Sequence, residues 1–282
     1  QDDVKVMLGA NEMSSPATSE GVPSKPITWM HLVSFALATA ISYVLGVVSA
    51  LIFPVLGAPG VSALYVSAAI YVPLAIWMGM WGCLAGYVSC FFLGLWPSGY
   101  SPLLSGVWSV ADFLEGLMPL LFFRMLKVDP DFTIKRPTAA KVFKPLVAVG
   151  LALLVIGLIV QVYLGATYGE PFVSVYRYAL YSGLALSIIG ILVGSFVGEK
   201  RTWGTYVLSG IILAAVVSGA WGAWSLTLIP GLSPLPAGLF PVVFTGWAIG
   251  DIVVLAIIGT ALLTALTPMI KRSPIYVRRW WT

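Results

Sequence analysis

Apolar residues run in eight long blocks between His31 and Ile270, separated by short polar or Gly/Pro-rich breaks. A helix rises about 1.5 Å per residue, so crossing a bilayer's hydrocarbon core takes roughly 20 residues. The pattern predicts spans at 30–53, 61–80, 82–96, 104–126, 144–166, 178–198, 204–229 and 244–268. The third is short, as a tilted, broken or re-entrant element would be. It follows the second so closely that the two should form a tight hairpin turning at Met80-Trp81-Gly82. The expected fold is an all-α, polytopic integral membrane bundle of about eight transmembrane helices.

Composition agrees with this pattern. Hydrophobic residues make up 59% of the chain and charged residues 9%, too little polar surface to cover a soluble globule. The polar residues gather outside the spans. Residues 1–28 form a polar tail with no basic region ahead of a short apolar core, so no secretory signal is expected there. A first helical half is expected over 29–127, a basic loop over 128–143, a second half over 144–270 and a basic tail over 271–282. Cys83 and Cys90 fall on one face of the third span, where burial as small apolar residues is expected.

Lys and Arg set the predicted orientation. Arg124, Lys127, Lys135, Arg136, Lys141 and Lys144 fill one inter-span stretch, Lys200 and Arg201 another, and Lys271, Arg272, Arg278 and Arg279 follow the last span. The loops 54–60, 97–103 and 230–243 carry no charge. With an even number of spans, every basic segment lands on one side. This predicts a multi-pass protein of the cell membrane with both termini cytoplasmic, and Trp280 and Trp281 as an interfacial anchor. His31, at the inner end of span one, is expected to be solvated.

The last span of each half carries a similar motif. Trp108-Ser109-Val110-Ala111-Asp112 matches Trp247-Ala248-Ile249-Gly250-Asp251, and Ser-Pro-Leu precedes each at 101–103 and 233–235. Trp81-Gly82 and Trp203-Gly204 open the preceding spans. The pattern suggests an internal repeat of two four-helix halves, with a binding site where they meet. Asp112 and Asp251 lie roughly 10 Å inside their spans. There an ionised carboxylate costs about 2.5–3.5 kcal/mol on insertion scales. Glu115 shares a helix face with Trp108 and Asp112. Arg177, at the outer end of span six, is placed to reach an acid or an anionic ligand. Candidate ligand-binding residues are therefore Trp108, Asp112, Glu115, Arg177, Trp247 and Asp251, with the competing reading that the acids merely cement neighbouring helices.

Walker-type, His-Glu-x-x-His, Gly-x-Ser-x-Gly and Cys-x-x-Cys motifs are absent. The Gly82-x-x-x-Gly86 spacing fits close helix packing. No enzyme activity, cofactor, metal site or nucleic-acid partner is expected.

Within span one, Ala36 and Ala40 stand in Ser34-Phe35-Ala36-Leu37-Ala38-Thr39-Ala40-Ile41, which resembles the first helix of substrate-binding S components of energy-coupling-factor transporters. Gly82-Cys83-Leu84-Ala85-Gly86 after a tight turn, and Ala111-Asp112-Phe113-Leu114-Glu115-Gly116-Leu117 with Pro119 and Arg124 following, are similar to later helices of that family. The likeness is best over 30–127. Trp247 to Asp251 also resembles the last helix of related multi-helix sensor domains of bacterial signalling proteins. The resemblance implies uptake of a small-molecule ligand by a membrane-embedded binding protein. Ala36 and Ala40 would dock a coupling subunit, itself driven by partner ATPases. S components usually have six helices, so eight would need an extra pair or a duplication. Two alternatives stand beside it: a non-catalytic subunit of a large membrane complex, and an ion-coupled secondary transporter using Asp112 and Asp251.

Overall fold

The computed structural model describes residues 27–55, 58–132 and 198–281, with the separate positions 141, 145, 149 and 152. This part of the chain is mostly helical. Four helices are long and apolar enough to cross a membrane: α1 (Trp29–Ile52), α4 (Pro102–Met125), α5 (Lys200–Thr227) and α6 (Ala237–Ile270). Two shorter apolar helices, α2 (Ala68–Met78) and α3 (Met80–Leu95), lie between α1 and α4 in the chain. Apart from those separate positions, the spans predicted at 144–166 and 178–198 lie outside the described residues, as does the polar tail before Ile27.

Helix α1 shows how the pattern becomes structure. His31, Ala38, Ser42, Gly46 and Ser49 face the bundle, while Leu32, Val33, Leu37, Ile41, Val44, Val48 and Leu51 are exposed along the other face. The buried positions are small or polar and most exposed ones are large and apolar, the reverse of a soluble helix and the arrangement lipid favours, with Ala36 and Ala40 as small residues on the exposed face. His31, expected in solvent, is buried. Its ring lies 6.3 Å from Trp81 and its Nδ1 lies 3.1 Å from the Thr28 amide.

The second predicted span needs correction. Residues 61–80 do not form one helix. Strand β1 (Pro54–Val55) pairs antiparallel with β2 (Ala58–Ser62), and an irregular turn leads into α2. The 11 residues of α2 rise only about 16 Å, half a bilayer. Backbone without helical partners is tolerated at such depth only when protein satisfies it. Here Ser49 does much of this: its carbonyl accepts from the Ser62 hydroxyl at 3.0 Å, and its hydroxyl accepts from the Val66 amide at 3.0 Å. The Ala63 amide donates to the Phe53 carbonyl at 2.7 Å, and the Tyr100 hydroxyl donates to the Pro59 carbonyl.

The α2–α3 hairpin exists, but its turn is Gly79 alone, and Met80, Trp81 and Gly82 already belong to α3. Gly79 has φ 65° and ψ −136°, a region open essentially to glycine. Gly82 then lies against the Ala75 backbone, where a Cβ would sit 2.1 Å from the Ala75 nitrogen. Helix α2 packs against α3, α4 and α6, while α5 packs between α4 and α6, and α1 lies on α3. Helices α5 and α6 each contain a π-helical stretch, Tyr206–Leu213 and Leu255–Gly259. The wider turn frees carbonyls, and the Tyr206 hydroxyl donates to that of Leu255 at 2.8 Å.

All the described basic segments meet at one end. Residues 271–281 fold back onto the end of α2. The Val277 amide donates to the Trp77 carbonyl and the Met80 amide to that of Trp280, both at 2.8 Å. Arg124 donates to the carbonyls of Ile76 (3.1 Å), Val277 (2.6 Å) and Arg279 (3.0 Å). Carbonyls left open at the end of a helix thereby gain charged donors. Lys271 pairs with Asp129 at 2.7 Å.

Gly79→Ala should cost about 1–3 kcal/mol, because the backbone is strained for any side chain and a Cβ would meet the Trp280 carbonyl oxygen at 2.3 Å. A lowered thermal midpoint in detergent checks this. Burial pushes Tyr276 above the ordinary tyrosine value of 10.0, against the pull of Arg124 and Lys271. Its folded value therefore lies above its unfolded one. The stability this contributes is full below about pH 10 and is lost as pH rises through the folded value. Tyr276→Phe should flatten that part of the alkaline unfolding curve.

Candidate functional site

Three carboxyl groups come together in the middle of the bundle. Helix α4 supplies Asp112 and Glu115, one turn apart, and α6 supplies Asp251. All three are fully buried. The α4 stripe points inward as its spacing predicts, with Trp108 also buried one turn earlier. The matching tryptophan of α6 meets it: the rings of Trp108 and Trp247 lie 6.0 Å apart, edge to face at 83°.

Local sequence accounts for part of this placement. Ser101 caps the start of α4 by accepting from the Leu104 amide at 3.2 Å, and Pro102 occupies the first turn. The second Ser-Pro-Leu triplet does different work. The Ser233 hydroxyl accepts from the Ile229 amide at 2.7 Å and donates to the Ser225 carbonyl at 2.9 Å, inside a loop. Trp221 of α5 ties the helices together by donating to the Val107 carbonyl at 2.8 Å. The two tryptophan–aspartate motifs thus face each other, although the triplets before them are not structurally equivalent.

The surroundings are under-supplied with hydrogen bonds. The Tyr71 hydroxyl, from the first turn of α2, donates to Glu115 Oε2. The Ser218 hydroxyl of α5 donates to Asp251 Oδ2 at 3.4 Å. Among the described residues, both Asp112 oxygens, Glu115 Oε1 and Asp251 Oδ1 have no hydrogen-bond partner, nor do the Tyr65 hydroxyl and the indole N–H groups of Trp108 and Trp247. These groups are nonetheless neighbours. Tyr65, Tyr71 and Cys90 adjoin the Asp112 carboxyl, and Glu115 adjoins Asp251. Among the described residues, no group of three such acids, histidines or cysteines has the spacing of a metal site.

A cavity of about 10 Å³ opens between Asp112, Tyr65, Cys90, Trp108 and Trp247, room for roughly one water molecule. Its roof is the β1–β2 hairpin at Gly60-Val61-Ser62. Residues 230–243 do not line it. Gly60 permits the roof to close: it has φ +79°, and a Cβ there would lie 2.1 Å from the Ser98 hydroxyl and 3.3 Å from the Trp108 ring.

Of the predicted residues, Trp108, Asp112, Glu115, Trp247 and Asp251 converge. Arg177 lies outside the described residues. Ala36 and Ala40 stand apart, exposed on the outer face of α1. Sequence reasoning missed Tyr65, Tyr71 and Ser218, and treated Cys90 only as a buried small residue. The hydroxyls look like ordinary members of apolar runs. They stand in spans that carry no acid, so nothing local ties them to Asp112, Glu115 or Asp251. No protein-family model, curated protein or solved structure matches the chain.

Tyr71→Phe removes the only donor to Glu115 among the described residues and should lower stability by about 1–3 kcal/mol. Asp112→Asn should instead hold or raise the midpoint, because it replaces a carboxyl without a hydrogen bond by a neutral group of equal size. Thermal unfolding of both variants in one detergent distinguishes a site under functional constraint from structural cement. A destabilised Asp112→Asn would indicate cement.

Proposed function

We propose that this chain is a membrane-embedded transport protein whose buried carboxyl cluster takes up and releases protons as the path to the cavity opens and closes. The observation that carries this reading is the meeting of Asp112, Glu115 and Asp251 from two helices in an interior with two hydroxyl donors and no cation among the described residues. Three carboxylates packed so closely cannot all remain charged in a low-dielectric interior, so protons must balance them.

The cavity as it stands is too small for a solute, so the structure corresponds to a closed state in this reading. Opening would lift strands β1 and β2 from Trp108 and expose Asp112 first, since Asp112 lines the cavity while Glu115 and Asp251 do not. A repeat of two halves would place its site where they meet, and the approach of Trp108 to Trp247 supports that arrangement. The basic end, with the residues after 270, belongs to the cytoplasmic side by the distribution of Lys and Arg, and this reading keeps the eight spans that the hydropathy pattern predicts. This reading prefers the ion-coupled alternative among those the sequence leaves open. A solute-binding subunit docked to partner ATPases is a second reading, favoured by the exposure of Ala36 and Ala40 on α1.

In lipid, infrared titration should show a protonated-carboxyl band that loses intensity as pH rises, and Asp112→Asn and Asp251→Asn should each remove part of it. Proton flux into liposomes containing only this chain should fall at least tenfold in Asp251→Asn. A titration with no carboxyl band, or a flux equal in wild type and variant, would overturn the proposal. Co-purification with ATPases that is lost in Ala36→Leu would move the assignment to the second reading.

A further inference from the structure

At the basic end, well away from the carboxyl cluster, the ends of α4 and α6 enclose an open cleft of about 460 Å³. Arg124, Lys127, Lys271 and Arg278 line it, with Asp129 and Tyr276. Four cationic side chains thus face one carboxylate, and Lys271 already holds that carboxylate at 2.7 Å. Arg124 is committed to three carbonyls. Lys127 and Arg278 form no ion pair among the described residues.

Two further observations give this cleft a direction. Lys127 has φ 51° and is the only described non-glycine residue with positive φ. It follows the end of α4, where its amide donates to the Arg124 carbonyl and the next amide, Val128, donates to that of Phe123 at 2.9 Å. Glycine is the usual residue at such a helix end, and any other is strained there. The chain places a lysine at this position, and the lysine lines the cleft. At the same ends of α4 and α6, next in sequence to residues of the cleft though not lining it, large apolar side chains lie open: Met125 and Met269 are each 67% exposed and Leu126 48%. Cations at the helix ends with bare apolar side chains next to them match the two parts of an anionic lipid, phosphate above and acyl chain below.

We propose that this cleft binds the phosphate group of an anionic phospholipid, with Lys127 and Arg278 as its principal contacts. Soluble phosphate shares the charge but has nothing to place against Met125, Leu126 and Met269.

The test is thermal unfolding of the full chain in a neutral detergent with short-chain phosphatidylglycerol, short-chain phosphatidylcholine or inorganic phosphate added. Phosphatidylglycerol should raise the midpoint by roughly 2–4 °C, and phosphatidylcholine should not. Lys127→Gly should unfold above wild type in detergent alone, because glycine relieves the backbone strain, yet lose most of the lipid-dependent rise. Arg278→Ala should lose it without the gain. Equal shifts with both lipids, or a phosphatidylglycerol shift unchanged in both variants, would overturn the proposal. The full rise with inorganic phosphate alone would overturn the assignment to lipid.

Discussion

Carboxyl groups and an apolar interior are compatible only when charge is neutralised or matched by donors, and three carboxyls share the centre of this bundle. Most of the surrounding architecture can be understood from that constraint. Tyr71 and Ser218 supply the hydroxyls in reach, from two different helices. Among the described residues, four carboxyl oxygens are left without a partner. Each such orphan lowers stability, so an arrangement with no further role would be expected to lose its acids to Asn, Gln or an apolar residue. Their presence together, rather than one at a time, is what supports a role in moving protons.

The broken second element follows from the same demand. A full-length helix over 61–80 would bond its own backbone throughout and present only side chains to the acids. Replacing its N-terminal half by a strand and a turn puts irregular backbone over the site, satisfied by Ser49 and Tyr100. It also starts α2 at a depth where Tyr71 meets Glu115. Gly82 and Gly86 allow the approach, with a Cβ at Gly86 falling 2.9 Å from the Tyr71 ring. Close backbone contact between small residues substitutes for the hydrophobic drive that lipid removes. The hairpin is also the element with the least helical support, so it is the natural part to move.

The two ends of the bundle are built on different chemistry. The uncharged end closes by small-residue contacts and hydroxyl-to-carbonyl bonds around Gly60 and Tyr100. The basic end closes by charge, with Arg124 gathering the end of α2 and residues 277–279 onto one guanidinium. This clasp holds the basic-end halves of α2, α3, α4 and α6 in register, and among the described residues the hairpin end has no ion pair.

Membrane character, the positions of five apolar helices and the inward stripe of Trp108, Asp112 and Glu115 were legible in the sequence, because hydropathy and helical spacing are local properties. So was the pairing of the two tryptophan–aspartate motifs, although their flanking Ser-Pro-Leu triplets proved unlike. The break in 61–80 was not legible, since an apolar run reads alike as a helix or as buried irregular backbone. Its partners, Ser49 and Tyr100, lie in other elements. Tyr65, Tyr71 and Ser218 were invisible for the same reason: a hydroxyl in a span becomes significant only once folding brings a carboxyl beside it. The sequence by itself therefore determined which segments prefer lipid and which residues are costly to bury there. Only the tertiary structure decided which of those residues meet, because such meetings depend on contacts between segments far apart in the chain.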